Sequence, residues 1–224
     1  MCGRFSITKE EEVIEARFGA KFYTEALVKR WNVAPTDAAP VITNREPERI
    51  RMFRWGLVPY WSKDKKAAAR AINARSETLL EKPSFRHLVD RKRCLVITDG
   101  FYEWKKDNSL KIPHRIHLAN DGLFAFAGLW DSWKDPVGEM LHSFTIITVE
   151  PNKRVATLHD RMPAMLLPEH EKLWLDEGLP TEDILKLLYP YPDDHLEIYE
   201  VANQINYAQN DEPEMIRKIQ GRMN

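Results

Sequence analysis

The residue with most chemistry to offer is Cys2. Methionine is normally trimmed when the residue behind it is small, and loss of Met1 would leave Cys2 with an α-amine and a thiol on adjacent carbons. An internal cysteine cannot offer that pair, because its nitrogen is locked in a peptide bond. A 1,2-aminothiol captures aldehydes: the amine forms a Schiff base, and the thiol then closes a five-membered thiazolidine. With an ordinary α-amine pKa of about 7.7–8.0, roughly a tenth of the amine is free base at neutral pH. The alternative is a small buried hydrophobe in a fraying terminus. The neighbours argue for an anchored terminus. Gly3 permits close backbone approach, Arg4 is a cation suited to phosphate, and Phe5 begins an apolar anchor.

Three further stretches combine reactive residue types with strand ends and loops, where active residues concentrate. Glu103 stands between Tyr102 and Trp104 at the end of an apolar run, and a carboxylate among aromatics should have a raised pKa suited to acid–base work. A surface glutamate on an alternating strand is the alternative. His159 precedes Asp160, Arg161 and Pro163; it is a proton shuttle or a satisfied structural histidine. Asn73 and Arg75 lie two apart, one able to position a polar group and the other to clamp a phosphate, unless Arg75 pairs with Glu77. Trp61 sits beside Ser62, Lys63, Lys65 and Lys66 and is a candidate base-stacking platform, whereas Trp55, Trp104, Trp130 and Trp133 read as core.

Other chemistries lack support. There is no Cys-x-x-Cys or His-Glu-x-x-His, so no zinc site is expected, and no cofactor motif or G-x-S-x-G elbow occurs. His114 and His117, three apart on a strand, would face opposite sides.

These residues must be positioned by a chain of 224 residues, enough for one well-filled core, with 43% hydrophobic and 30% charged residues. No apolar run reaches membrane-spanning length and no signal peptide is apparent. Two cysteines, Cys2 and Cys94, point to a reducing compartment, hence the cytoplasm or its nucleoid. The net charge of −1 is unevenly spread. Residues 45–106 hold 16 Lys and Arg against 8 Asp and Glu, whereas residues 169–224 hold 5 against 13. That asymmetry fits a polyanion-binding face in the middle and an acidic, structural tail, or else a solvated surface of mixed charge.

Thr8-x-x-Glu11 reads as a capping box opening a helix that ends at Gly19. Residues 31–36 read as a loop, because Pro35 biases Ala34 away from helix. Strands are expected over 39–43, 50–57, 93–98, 114–118, 123–129, 144–149, 164–167 and 197–201. Asn120-Asp121-Gly122 reads as a tight hairpin turn, Asp107-Asn108-Ser109 as another turn, and residues 67–80 as loop with short helix. Helices should follow Pro168 to about Leu175, and start after Thr181 as N-cap. The expected fold is a single α+β domain over 1–224, a β-rich, barrel-like twisted sheet with peripheral helices.

Taken together, Met1-Cys2-Gly3-Arg4-Phe5, Trp31-Asn32-Val33-Ala34-Pro35, Trp55-Gly56-Leu57-Val58-Pro59, Ile72-Asn73-Ala74-Arg75-Ser76-Glu77-Thr78, Asp99-Gly100-Phe101-Tyr102-Glu103-Trp104 and His159-Asp160-Arg161-Met162-Pro163 resemble the SOS response-associated peptidase (SRAP) family, also called abasic-site processing proteins. The resemblance implies a β-rich fold with a DNA-binding groove. It also implies covalent capture of abasic sites in single-stranded DNA, protecting the strand during replication, with weak lyase activity. It gives Cys2, Asn73, Glu103 and His159 the catalytic roles. Arg4, Arg75 and Arg161 would hold phosphates, Pro35 and Trp61 would wedge or stack, and Asn32, Trp104 and Thr148 would complete the DNA contacts. No metal or cofactor is implied; the partner is abasic single-stranded DNA, with the replication machinery a further one, and the protein is read as a monomer. Two other readings stay open: a thiol autoprotease with Cys2 as nucleophile, and a non-catalytic single-strand binder.

Overall fold

A computed structural model describes residues 2–23, 26–65, 71–108 and 110–219. In chain order the elements begin with β1 (Phe5–Ile7), α1 (Glu11–Phe18), β2 (Lys21–Phe22), β3 (Arg30–Val33), β4 (Ala38–Thr43), β5 (Glu46–Trp55) and β6 (Asn73–Arg75). Next come α2 (Arg86–Arg91), β7 (Arg93–Thr98), β8 (Gly100–Asp107), β9 (Leu110–Leu118), β10 (Phe124–Lys134) and β11 (Met140–Val149). The chain continues through β12 (Met162–Pro163), β13 (Met165–Leu166), α3 (Pro168–Leu175), α4 (Thr181–Leu185) and β14 (Leu196–Glu200). Among the described residues no helix is long and apolar enough to cross a membrane.

Two sheets carry the fold. Strands β11, β10, β7, β4 and β5 pair in that order, and β5 returns to β11 through Arg54 opposite Ser143 and Trp55 opposite Phe144. The sheet therefore closes into a barrel, which removes its edges. The second sheet runs β14-β9-β8-β1-β3. Phe5 on β1 joins the two: its ring lies 5.0 Å from Trp55 and 6.1 Å from Phe126. The apolar residue behind Arg4 is thus the anchor its position implied, and it seats the chain's start between the sheets. Inside the barrel, a Cβ on Gly128 would come within 2.9 Å of the Cys94 Sγ, so only glycine lets β10 and β7 approach. The helices lie outside this β core, as expected.

Several local expectations give way to long-range pairing. Residues 30–33 form a strand, not a loop, because Phe5 pairs with Val33 and Ile7 with Arg30; Pro35 restrains only the turn after it. The Thr8 hydroxyl donates to Asp99 at 2.8 Å, so it caps no helix, and Glu10 stands at the N-cap. Gly19 does end α1, with φ of 66°. The Asn120–Gly122 turn is not a hairpin: β9 pairs with β8 and β14, while β10 belongs to the barrel. Pro180, not Thr181, is the N-cap of α4. Asn73–Arg75 is a strand on β11, not part of a loop; the expected short helix falls partly on residues 66–70, and the 107–109 turn partly on Ser109, outside the described residues.

Candidate active site

The site lies where the two sheets meet. Cys2, three residues before the start of β1, is fully buried. Its carbonyl accepts a 2.8 Å hydrogen bond from the Asn73 amide at the start of β6, and its thiol lies 3.6 Å from the Arg4 carbonyl. Burial pushes the Cys2 thiol well up, and the Glu103 charge pushes in the same direction.

Glu103 on β8 is 1% exposed, and burial pushes its carboxyl up to about 7, against the pull of the amino-terminal charge. The expected shift is there, but the aromatic neighbours are not its main cause. Adjacent residues on a strand face opposite ways. Tyr102 turns to a cluster with Val201, Ile205 and Met215 and donates its hydroxyl to the Trp31 carbonyl at 2.7 Å. Glu103 instead faces the junction that holds Cys2. Gly100 opens this strand because a Cβ there would lie 2.8 Å from the Arg115 guanidinium. That guanidinium pairs with buried Asp99 at 3.3 Å, and Asp99 also accepts from Ser6 and Thr8, fixing β1 against β8.

His159, just before β12, shares a hollow of about 300 Å³ with Glu103, Trp104, Lys106, Lys111 and Asn206. Burial lowers its pKa, reinforced by the amino-terminal charge and opposed by Asp160. Its Nδ1 lies 2.7 Å from an Asp160 oxygen and 3.1 Å from the Arg161 amide nitrogen. The two neighbours ask opposite things of that nitrogen: Asp160 accepts a proton and the amide offers one. With Nδ1 protonated toward Asp160, Nε2 carries the basic lone pair.

The phosphate and base contacts implied by the resemblance divide. Arg75 is exposed and pairs with no carboxylate among the described residues; Glu77 binds Arg161 instead, in a two-pronged pair. Trp61 is 56% exposed, as a stacking platform requires. Arg4 is half-buried with Nη2 at 3.4 Å from the Asn206 carbonyl, and Pro35 is half-buried at its turn. Trp104 donates to the Asn206 side chain at 2.6 Å at the border of the hollow.

Asn32 and Thr148 are corrections. Both are fully buried, and their side chains are spent on backbone carbonyls inside the protein. Thr148 packs on the Ala74 carbonyl, and Asn32 donates to the carbonyls of Ile205, Tyr207 and Asn210 at 3.3, 3.1 and 2.8 Å. Asn32→Ala should strand those carbonyls and cost about 2 kcal/mol of stability, read from the denaturant midpoint. The basic middle segment is likewise not one face: Arg93 is buried on four backbone carbonyls, and Lys92 pairs with Asp131.

Asn206, Lys106, Lys111 and Asp160 are the residues that sequence reasoning missed. Asn206 carries no motif signal, and the acidic tail that bears it is structural and also the site's wall. A larger hollow of about 610 Å³ between α1 and α3 is remote from this chemistry, and its Arg17 and Glu171 satisfy each other at 2.8 and 2.9 Å. Among the described residues no group of three or more His, Cys, Asp or Glu is placed to hold a metal ion.

A buried cysteine ahead of β1 thus meets an asparagine from one sheet and a glutamate from the other. The sequence profile described as SOS response associated peptidase (SRAP) matches residues 1–208, and the chain belongs to that family. It is 44% identical over 221 residues to abasic site processing protein YoqW of Bacillus subtilis (strain 168), spanning 96% of this chain and 99% of that one. Abasic site processing protein HMCES of Xenopus tropicalis is 34% identical over 222 residues, spanning 84% of this chain and 66% of that one. A crystal structure of a Bacteroides thetaiotaomicron protein superposes with a TM-score of 0.89 at 30% identity, covering 97% of this chain and all of that one.

Proposed function

We propose that the protein captures abasic sites in single-stranded DNA as a thiazolidine on Cys2, after removal of Met1. The observation that carries this reading is the buried carboxyl of Glu103, its pKa pushed up to about 7 by burial, at the junction where Asn73 holds the backbone of Cys2. Named relatives that process abasic sites support the substrate.

The steps follow from the groups present. Glu103 promotes opening of the abasic deoxyribose to its aldehyde. The Cys2 amine attacks the aldehyde carbon and water leaves, giving a Schiff base. The thiol then adds across that C=N bond, forming the C–S bond while its proton goes to nitrogen. One water is lost overall. A carboxyl with pKa about 7 is present in both forms at neutral pH, so Glu103 can give and take protons in succession. His159 supplies a second proton-transfer group on the same hollow, and Asn73 fixes the angle of the aminothiol. Elimination at the Schiff-base stage would give a weak lyase activity.

A thiol peptidase would need a cysteine of lowered pKa. Both burial and Glu103 push Cys2 the other way, which favours amine attack first and thiol closure second. The discriminating assay is a denaturing gel. Abasic single-stranded DNA should give a heat-stable shifted band, and intact mass should equal protein without Met1, plus one strand, minus one water. Peptide fragments without a shifted band would sink the proposal.

Arg4, Arg75 and Arg161 are assigned to phosphates, with Pro35 and Trp61 at the neighbouring bases. For Arg161 a phosphate must displace Glu77. Arg75 needs no such exchange, so Arg75→Ala should flatten the log–log salt dependence of binding by about 0.7, one single-strand counterion. Parallel salt slopes for variant and wild type would remove Arg75 from the interface.

A further inference from the structure

We infer that the single strand leaving the active-site hollow continues over a second groove, walled by residues 203–207 and the start of β9, where a base stacks on Tyr207. The inference rests on the nucleic-acid reading above and adds the course of the strand.

The hollow that holds Glu103 and His159 shares two wall residues, Lys111 and Asn206, with a wider one of about 620 Å³. Leu110 and Tyr207 stand out on the second groove at 63% and 61% exposure, beside the amides of Asn203 and Gln204. Exposed apolar side chains usually ride on loose loops, but this loop is pinned. Buried Asn32 donates to the carbonyls on either side of Asn206, and Asp211 accepts from the backbone amides of Trp31 and Asn32 at 2.6 and 2.8 Å. A surface held rigid before binding spends no ordering entropy when a partner arrives.

Charge selects the partner. Residues 169–224 carry 13 acids against 5 bases, yet among the described residues Glu103 is the one carboxylate lining either hollow, and the lysines there are Lys106 and Lys111. An aromatic face beside cations and amides is what a single-stranded nucleic acid uses. A peptide adding as a strand would need an open edge, and β9 is paired on both sides, to β8 and β14.

The test uses the full chain and oligonucleotides with a central tetrahydrofuran abasic analogue, which lacks the aldehyde and sets the register without crosslinking. Affinity is read by fluorescence anisotropy. With about six nucleotides on each flank, a length within the site sizes of single-strand binders, Tyr207→Ala should bind about 5- to 150-fold more weakly and Tyr207→Phe within about twofold of wild type. Trimming one particular flank to a single nucleotide should erase the difference between Tyr207→Ala and wild type; trimming the other should leave it. Lys111→Ala should flatten the salt slope by about 0.7 on the long oligonucleotide. Unchanged affinity of Tyr207→Ala, or a loss that ignores flank length, overturns the inference while the proposed function stands. Wild type that binds none of these oligonucleotides overturns both. Melting curves of Tyr207→Ala that overlay wild type exclude unfolding as the source of a loss.

Discussion

Protein carrying uncleaved residues ahead of Cys2 should form no heat-stable adduct with abasic single-stranded DNA. Such a chain keeps the thiol, Glu103, His159 and Asn73, and loses only the free amine on the carbon beside the thiol. An amide nitrogen cannot form a Schiff base, so the loss is complete and not a matter of degree. The complementary deletions separate the two steps. Cys2→Ala keeps the amine and removes the ring-closing sulfur, leaving a reversible imine that borohydride can trap. Cys2→Ser should behave likewise. A heat-stable band from either the extended protein or Cys2→Ala would mean a lysine or an ordinary thiol does the chemistry. Extension at the start also has a steric consequence, since Cys2 is fully buried and added residues must pass the same junction.

Glu103→Gln should slow crosslinking by about 10²–10⁴-fold while making the protein more stable at alkaline pH. Both effects come from one cause. Burial raises the carboxyl from an ordinary 4.5 to about 7. The folded protein therefore binds a proton more tightly than the unfolded chain. Wild-type stability is fully present below pH 4.5 and is lost as pH rises to about 7, by about 3 kcal/mol. Glutamine carries no charge to bury, so the variant's advantage should be absent at pH 4 and full at pH 8. Urea midpoints at the two pH values, with single-turnover crosslinking rates, test it. A variant no more stable at pH 8 than at pH 4, relative to wild type, would mean Glu103 is not held in the buried state described.

The candidate residues Cys2, Glu103 and His159 are legible because they sit in short motifs whose chemistry is local: a thiol beside the chain's first amine, and two titratable groups. Strands such as β7, a continuous apolar run, were equally legible. What failed depended on partners distant in sequence. Trp31 to Val33 looked like loop because the sequence shows Pro35 but not β1, whose pairing makes them a strand. Thr8 looked like a helix cap because Glu11 is three residues away and Asp99 is 91. The resemblance implies a DNA contact at Asn32, and nothing near it in sequence announces the carbonyls of Ile205, Tyr207 and Asn210. The raised Glu103 pKa was anticipated from its neighbours Tyr102 and Trp104, yet burial at the sheet junction raises it. Period-2 alternation could have shown this, by turning Glu103 away from both.

The pinned loop at 203–207 gives the protein a schedule. Cys2 is made first, and the wall bearing Asn206 about 200 residues later. At about 5–20 residues per second, the ribosome keeps them apart for roughly 10–40 s. Throughout that interval an aminothiol freed at Cys2 has neither its pocket nor its selectivity, and any small aldehyde in the cell can consume it. On the proposed chemistry, chains that terminate early would never acquire the wall and would carry the aminothiol without the means to aim it. Retaining Met1 until synthesis is complete would keep the amine masked for as long as the site is unfinished.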